Sequence, residues 1–100
     1  MIARIWHGEV KQDRADEYLR LMREVALPDY RSTPGNQGAF ALRRDEGGRT
    51  HVLMLTFWDS EQAIAAFAGD DIERAKYYDF DPDFLVEMEP TVTHHQAFDG

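Results

Sequence analysis

The sequence predicts an α+β domain in which a strand, a helix, two strands, a helix and a strand follow one another. Three observations carry this prediction. Residues 2–10 and 50–58 alternate in the manner of strands, residues 13–27 repeat apolar side chains at helical spacing, and Asp45-Glu46-Gly47-Gly48 is typical of a hairpin turn. Right-handed crossovers then give a ferredoxin-like βαββαβ fold, an antiparallel sheet with both helices on one face.

The first helix is expected to begin at Asp13, whose carboxylate suits an N-cap, and to end near Leu27. Pro28 sets that end, because the residue before a proline is pushed out of the helical region. Residues 38–44 are predicted to form the second strand, which the hairpin turn joins to the third. Asp59 or Ser60 should cap the second helix, which carries its apolar residues from Ala63 to Ala68.

After Gly69 the pattern is weaker. Residues 71–78 predict a further helical piece, and residues 83–89, bracketed by Pro82 and Pro90, predict a short helix or an irregular strand. Residues 91–98 predict the last strand. No repeat or linker divides the chain, so residues 1–100 are expected to form a single domain.

Composition limits the partners of the chain. Acidic residues outnumber basic ones 19 to 11, and the net charge of −8 argues against nucleic acid and against an anionic membrane surface. No stretch approaches the roughly 18 apolar residues that a membrane span needs, and no leader is expected at Met1. The chain has no cysteine, which agrees with a cytoplasmic location and provides neither a disulfide nor a thiolate ligand.

The third strand predicts a homodimer. One of its faces carries His51, Leu53, Leu55 and Phe57, and the other carries Val52, Met54, Thr56 and Trp58. Both faces are largely apolar, yet two helices cover only one. We expect the stripe of Val52, Met54, Trp58, Ile2 and Trp6 to stay open and to pack on a second copy, with Arg4 in an ion pair inside that interface.

Several stretches resemble the antibiotic biosynthesis monooxygenase (ABM) family of dimeric α/β barrel proteins, from Met1 to about Phe98. The stretches that carry the resemblance are Ile2-Ala3-Arg4-Ile5-Trp6, Thr33-Pro34-Gly35-Asn36-Gln37-Gly38, Leu55-Thr56-Phe57-Trp58-Asp59-Ser60 with the helix after it, and Pro90-Thr91-Val92-Thr93-His94. The resemblance implies the same fold and dimer that the patterns predict. It implies function only broadly, because the family contains cofactor-independent oxygenases of polycyclic phenols, haem-degrading enzymes and proteins without known activity.

The haem-degrading branch of the family uses an Asn, a Trp and a His, and the matching positions here hold His7, Phe67 and Tyr77. None of the three agrees, so haem breakdown is not expected, although His7 or Tyr77 could ligate iron in another arrangement. No cofactor is predicted. No metal site is predicted either, because the acidic run around Asp79 and Asp81 lacks the glycine and the distal glutamate of a calcium loop.

His7 is the leading catalytic candidate. The family's pocket lies between helices and sheet, and if His7 projects into it, the imidazole could accept a proton from a phenol or a 1,3-dicarbonyl compound. Its alternative is a hydrogen-bonded histidine near a strand end. Tyr77 is the candidate donor to a substrate oxygen, and the candidate substrate-binding residues are Trp58, Phe67, Tyr78 and His94.

Three functions stay open from the sequence. The first is a cofactor-independent monooxygenase that acts on a small aromatic or polyketide-like molecule. The second is a protein that binds a small molecule, or has a structural role, without catalysis. The third is a cyclase or isomerase that uses a histidine base to enolise a carbonyl without oxygen.

Overall fold

The computed structural model describes residues 1–100 and contains a four-stranded antiparallel sheet. Its strands are β1 (Ile2–Lys11), β2 (Asn36–Glu46), β3 (Arg49–Trp58) and β4 (Thr93–Gln96), in the order β2-β3-β1-β4. Helices cover one side of the sheet. The predicted ferredoxin-like fold class is therefore confirmed, with a second strand longer than expected and a last strand shorter.

The first helical region runs further than the sequence predicts. A 3-10 turn (Gln12–Arg14) leads into α1 (Ala15–Leu21), a π-helical turn (Met22–Ala26) and α2 (Leu27–Ser32). The predicted end near Leu27 is wrong, since Pro28 lies within α2. The π turn explains this: Leu27 N–H bonds to Met22 O, and the widened turn relieves the clash that a proline ring makes with the preceding turn.

The second helical region is shorter than predicted. In α3 (Glu61–Ala68), Ser60 is the N-cap, because its Oγ accepts a hydrogen bond from Ala63 N. Gly69 ends the helix with a φ of 96°. The predicted helical piece over 71–78 is wrong, since these residues form turns and an extended segment. Their backbone pairs instead with the chain before β4, where Ala75 N donates to Pro90 O at 3.0 Å.

The chain between Phe80 and Pro90 covers the part of β1 that β4 does not reach. After α4 (Asp81–Phe84), Leu85 forms a β-bridge with Val10 and Val86 N donates to Glu9 O at 2.8 Å. Of the short helix or irregular strand expected over 83–89, the helix lies earlier, at α4, and the residues from Leu85 onward lie irregularly beside β1. This run brings Glu89 to the edge of β1.

The helices cover the opposite face of the sheet from the one expected. Trp6, Val10, Val52, Met54 and Trp58 are buried beneath them, each with 2% or less of its surface exposed. The predicted open stripe is therefore wrong. The open face carries Ile5, His7, Glu9, His51, Leu53, Leu55 and Phe57, together with Phe40 and Leu42 of β2.

The close packing of β1 explains which face is covered. The six-membered ring of Trp6 lies over Gly8, where a Cβ atom would come within 2.4 Å of the ring. Glycine therefore makes room for a tryptophan in the layer beneath the helices. None of the helices combines the length and apolar character that crossing a lipid bilayer requires.

Candidate functional site

A cleft on the open face of the sheet contains the leading catalytic candidate. Its volume is about 300 Å³, the lower end of the range for small-molecule sites. We call it the histidine cleft; it is lined by His7, Leu42, Arg43, Arg44, His51 and Leu53. Strand pairing explains the lining, because His7, Leu53 and Leu42 lie opposite one another on β1, β3 and β2.

His7 is held from both of its ring nitrogens. Its Nδ1 hydrogen-bonds to the Glu89 carboxylate, and its Nε2 lies 3.0 Å from His51 Nδ1. The two imidazole rings stack with their centroids 5.3 Å apart. A carboxylate on Nδ1 favours the tautomer in which that nitrogen carries the proton, which leaves Nε2 as the acceptor.

His51 extends this chain of contacts toward further carboxylates. Its Nε2 lies 3.5 Å from Glu46 Oε1 and 3.7 Å from Glu9 Oε1. In the tautomer that carries its proton on Nδ1, His51 can donate to His7 Nε2. The arrangement links Glu89, His7, His51 and Glu46 across three strands and the segment beside them.

The expectation that His7 projects between helices and sheet is wrong. Trp6 and Val10 of β1 are buried beneath the helices, and His7, with the opposite parity, projects from the open face. The sequence does not single out Glu89. Its position 82 residues from His7 follows from the extended run over 85–89, which has no periodic pattern to announce it.

Tyr77 lies on the helix side and contacts the same glutamate. Its hydroxyl donates to the carbonyl oxygen of Glu89, while its ring packs edge-on against Trp6 with 6.1 Å between centroids. Burial and the nearby Glu89 carboxylate raise the pKa of Tyr77 to about 12, so the phenol keeps its proton at neutral pH. Tyr77 and His7 therefore meet at Glu89 from opposite faces of the sheet and do not line one cleft.

The four candidate substrate-binding residues lie on the helix side, away from His7. Trp58 is fully buried and donates from Nε1 to Thr56 Oγ1 at 2.8 Å. Phe67 stacks on Tyr30 with 4.4 Å between ring centroids. Tyr78 donates from its hydroxyl to Asp29 at 2.7 Å, and His94 lies beside Arg4 in the pairing of β1 with β4. Of these four residues, His94 lines a pocket of about 370 Å³, whose other walls include Glu61, Asp70, Asp71 and Glu73.

Arg4, on the helix side of the sheet, is a buried arginine with side-chain nitrogens that lack a hydrogen-bond partner. It is 1% exposed, and its single hydrogen bond runs from Nη2 to the Arg74 carbonyl at 3.0 Å. The predicted ion pair inside a dimer interface is wrong, because Arg4 is buried beneath the helices and not on the open face. Its Nε and Nη1 are buried without a partner. Each such group costs about 1–3 kcal/mol of stability.

Two further unpartnered nitrogens belong to neighbours of Arg4 on the same face: Trp6 Nε1 and His94 Nε2. We call Arg4, Trp6 and His94 the arginine cluster. Burial lowers the pKa of Arg4, and burial together with the Arg4 charge lowers the pKa of His94 below its ordinary value. Positive charge at this place is therefore costly, and the acids that act against the lowering of the His94 pKa are Glu73 and Glu61.

Other buried polar groups on the helix side are satisfied. Asp81, 1% exposed, accepts hydrogen bonds from the Tyr18 hydroxyl and from Tyr78 N, both at 2.6 Å. Lys76 Nζ lies 2.8 Å from Asp29. No group of three or more His, Asp or Glu side chains is placed to hold a metal ion. The contrast isolates the arginine cluster as the place where buried donors lack acceptors.

Comparison with known proteins confirms the resemblance in the sequence. The family model described as antibiotic biosynthesis monooxygenase matches residues 1–75. A protein from Nitrosomonas europaea named for this activity is similar in structure, with a TM-score of 0.73, 17% identity, and 99% of this chain and 100% of that one covered. A comparison with curated protein sequences finds no match.

Two other solved structures share the fold at low identity. A structure titled antibiotic biosynthesis monooxygenase has a TM-score of 0.70 and 17% identity, over 99% of this chain and 100% of that one. A variant of MhuD with two manganese protoporphyrin IX molecules in each active site has a TM-score of 0.61 and 18% identity, over 100% of this chain and 97% of that one. At these identities the likeness shows the fold alone.

Proposed function

Because the chain belongs to the antibiotic biosynthesis monooxygenase family, we propose that it is a cofactor-independent monooxygenase. Its substrate in this proposal is a small aromatic or polyketide-like molecule bound in the histidine cleft. The observation that carries the proposal is the position of His7, held between the Glu89 carboxylate and His51 in a cleft with leucine walls. An oriented imidazole beside apolar surface suits proton abstraction from a weakly acidic carbon or phenol.

The proposed role of His7 is that of general base. Glu89 keeps the proton on Nδ1, so Nε2 offers its lone pair, and a phenolic hydroxyl that takes the place of His51 can donate to it. Glu89 would also stabilise the imidazolium that forms. Proton transfer to a positioned base contributes about 10²- to 10⁴-fold to a rate.

The reaction that follows needs only oxygen. Removal of a proton from a CH₂ group of an anthrone-like substrate leaves a carbanion, which transfers electrons to O₂ and forms a carbon–oxygen bond. The resulting peroxide anion takes the proton back from His7 to become a hydroperoxide, which loses water to leave a ketone. One oxygen atom enters the product and the other leaves as water, so no further reductant is required.

Tyr77 is proposed as a positioning residue. Its hydroxyl is engaged with the Glu89 carbonyl and therefore supports the residue that holds His7. Tyr77→Phe should lower kcat by less than the loss of His7 does, with an unchanged KM, because the substrate does not touch Tyr77. A change in KM alone would contradict this role.

A homodimer through the open face is part of the proposal. Phe40 and Leu42 are 52% and 42% exposed and adjoin Ile5, Leu53 and Leu55 on a continuous apolar surface. A second copy is the occupant that this surface favours, since the same patch on each partner is self-complementary in a two-fold dimer. Such a dimer would cover the histidine cleft and exclude water from it.

The test is oxygen uptake with a panel of anthrones and hydroquinones. His7→Gln should lower kcat by at least about 100-fold, because Gln provides no base. His95→Gln, on the exposed part of β4, is the matched control and should retain the rate. An equal rate for His7→Gln and wild type would overturn the assignment of the base.

Two other outcomes would replace the oxygenase by another function. Product formation under nitrogen would show a cyclase or isomerase that uses the histidine to enolise a carbonyl. Saturable binding of the panel without turnover would show a binding protein. Both experiments use the unmodified chain and the same compounds.

A further inference from the structure

A groove with basic walls runs along the outside of the helical layer. One part of it, about 450 Å³ in volume, is lined by Arg20, Arg23, Glu24, Leu27 and Arg31. An adjoining part of about 420 Å³ shares Arg20 and Arg23 and lies between α1 and β2. We call the two parts together the basic groove. It belongs to the helical layer, so a dimer through the open face of the sheet leaves it accessible.

The arginines of the basic groove lack acidic partners. Neither Arg20 nor Arg23 forms an ion pair. Arg31 gives one hydrogen bond, from Nη2 to the Ala39 carbonyl oxygen at 2.8 Å, which leaves most of its donors free. Arg20 and Arg23 are three residues apart on the helix, where like charges repel each other. Stability alone would favour an acid at one of these two positions.

The acids close to the basic groove do not neutralise it. Asp16 is engaged by Arg43 at 2.6 Å, which leaves Glu24 as the acid that faces the other arginines. Over the whole chain acidic residues outnumber basic ones 19 to 11, but charges further away than about 8 Å are largely screened at physiological ionic strength. The groove therefore presents positive charge to a partner although the chain as a whole is negative.

The spacing of the arginines indicates the shape of the partner. Arg20 and Arg31 are separated by roughly 15 Å along the helical axis, a span too long for a single carboxylate or phosphate. Between them Leu27, 9% exposed, provides an apolar floor. An amphipathic helix meets both requirements, because residues at i, i+4 and i+7 share a face and can carry carboxylates beside an aliphatic side chain.

We propose that the basic groove is a docking surface for an acidic amphipathic helix of another protein. Its carboxylates pair with Arg20, Arg23 and Arg31, and its apolar side chains pack on Leu27. A nucleic acid or an anionic membrane suits the groove less well, because it extends far beyond the groove and meets the rest of a chain whose net charge is −8. The docked helix leaves the histidine cleft free, so the inference is independent of the proposed reaction.

A helical probe peptide tests this surface. The probe is a stapled helix of about 15 residues, or about four turns, with glutamates and leucines on one face. The comparison peptide has the same residues in an order that scatters the glutamates around the helix. In ¹H–¹⁵N spectra of the full chain, the probe should move the amide signals of Arg20, Arg23 and Arg31 along a saturable curve and leave that of His51 in place. No movement with the probe, or equal movement with both peptides, would overturn the proposal.

Charge reversal in the groove gives a second test. Arg20→Glu turns an attraction into a repulsion, so it should weaken binding of the probe by about tenfold or more in fluorescence anisotropy. Arg20→Gln, which only removes the charge, should fall between this variant and the wild type. Arg74→Glu makes the same change at an exposed arginine outside the groove and should bind the probe nearly as the wild type does. Unchanged binding by Arg20→Glu, or equal weakening by Arg20→Glu and Arg74→Glu, would contradict the assignment.

Two further probes distinguish the classes of partner. Vesicles that contain phosphatidylserine, and a short DNA duplex, present negative charge without an acidic helix. Both should leave the amide signals of Arg20, Arg23 and Arg31 in place at concentrations where the peptide saturates. A response to vesicles or DNA that exceeds the response to the peptide and is lost in Arg20→Glu would replace the acidic helix by that partner and overturn the proposal.

Discussion

The two faces of the sheet differ in whether their polar side chains have hydrogen-bond partners. On the open face, where water can reach them, His7, His51 and their carboxylates are fully paired with one another. On the helix face, where water is excluded, nitrogens of Arg4 and its neighbours have no partner. Stability alone would favour the reverse, since an unmade hydrogen bond costs most where it is buried. The open face therefore holds the pair that is proposed to act on a substrate, and the helix face holds buried donors whose cost the packing around Arg4 has to offset.

The largest expected effect concerns the apolar surface of the open face. Phe40→Asp would place two charges in the proposed two-fold interface, and each phenylalanine that stays in water forfeits about 1.5–3 kcal/mol of burial. We expect the dimer dissociation constant to rise by about 100-fold or more. Sedimentation equilibrium at micromolar concentration measures it.

The control for this prediction is a similar change on another surface. Val25→Asp alters a side chain that is 40% exposed on the helical layer, against 52% for Phe40. It should leave the dimer intact. A wild-type chain that sediments as a monomer throughout, or two variants that dissociate equally, would break the comparison between the faces.

A smaller effect, on the pH dependence of stability, is expected when His94 on the helix face is replaced. Burial, and next the charge of Arg4, lower the pKa of His94 from its ordinary value of 6.5. A base with a lowered pKa in the folded chain stabilises the fold above the unfolded pKa of about 6.5, and this contribution is lost as the pH falls through that value. His94→Gln should therefore lose less stability than the wild type on acidification from about pH 7 to about pH 5.

Thermal unfolding over a series of pH values checks this prediction, with His95→Gln as a control for the loss of an imidazole. Arg4→Met sharpens it, because removal of the neighbouring charge should raise the pKa of His94, which an NMR titration follows. Equal pH dependence in His94→Gln and wild type would mean that the ring is well solvated. The contrast between the faces would then rest on Arg4 and Trp6.

The sequence was sufficient for the fold class but not for the orientation of the sheet. Alternation in β1 and β3, helical spacing after Asp13 and the Gly47-Gly48 turn predict the order of elements correctly. β3 is apolar on both faces, so hydrophobicity could not decide which face the helices cover. In the structure Trp6 packs over Gly8 beneath the helices, and that contact exists only once the strand has formed. The expectation that His7 projects between helices and sheet is wrong because the covered face could not be read from the pattern of β3.

Glu89 shows a second limit of sequence reasoning. It meets His7 because the chain after α4 is extended along the free edge of β1, bonded through Val86 N to Glu9 O. Irregular segments show no hydrophobic periodicity in the sequence, and their position depends on long-range contacts. No feature of the sequence marks Glu89 as the carboxylate that orients His7.

The orientation of His7 is the central claim, and the protonation of its ring tests it most directly. Long-range ¹H–¹⁵N spectra of the imidazoles at neutral pH distinguish a protonated nitrogen from a bare one. We expect a proton on Nδ1 of His7, and a weaker preference for Nδ1 in Glu89→Ala. A bare Nδ1 with the proton on Nε2 in the wild-type chain would contradict it, because the atom assigned to accept the substrate's proton would already carry one.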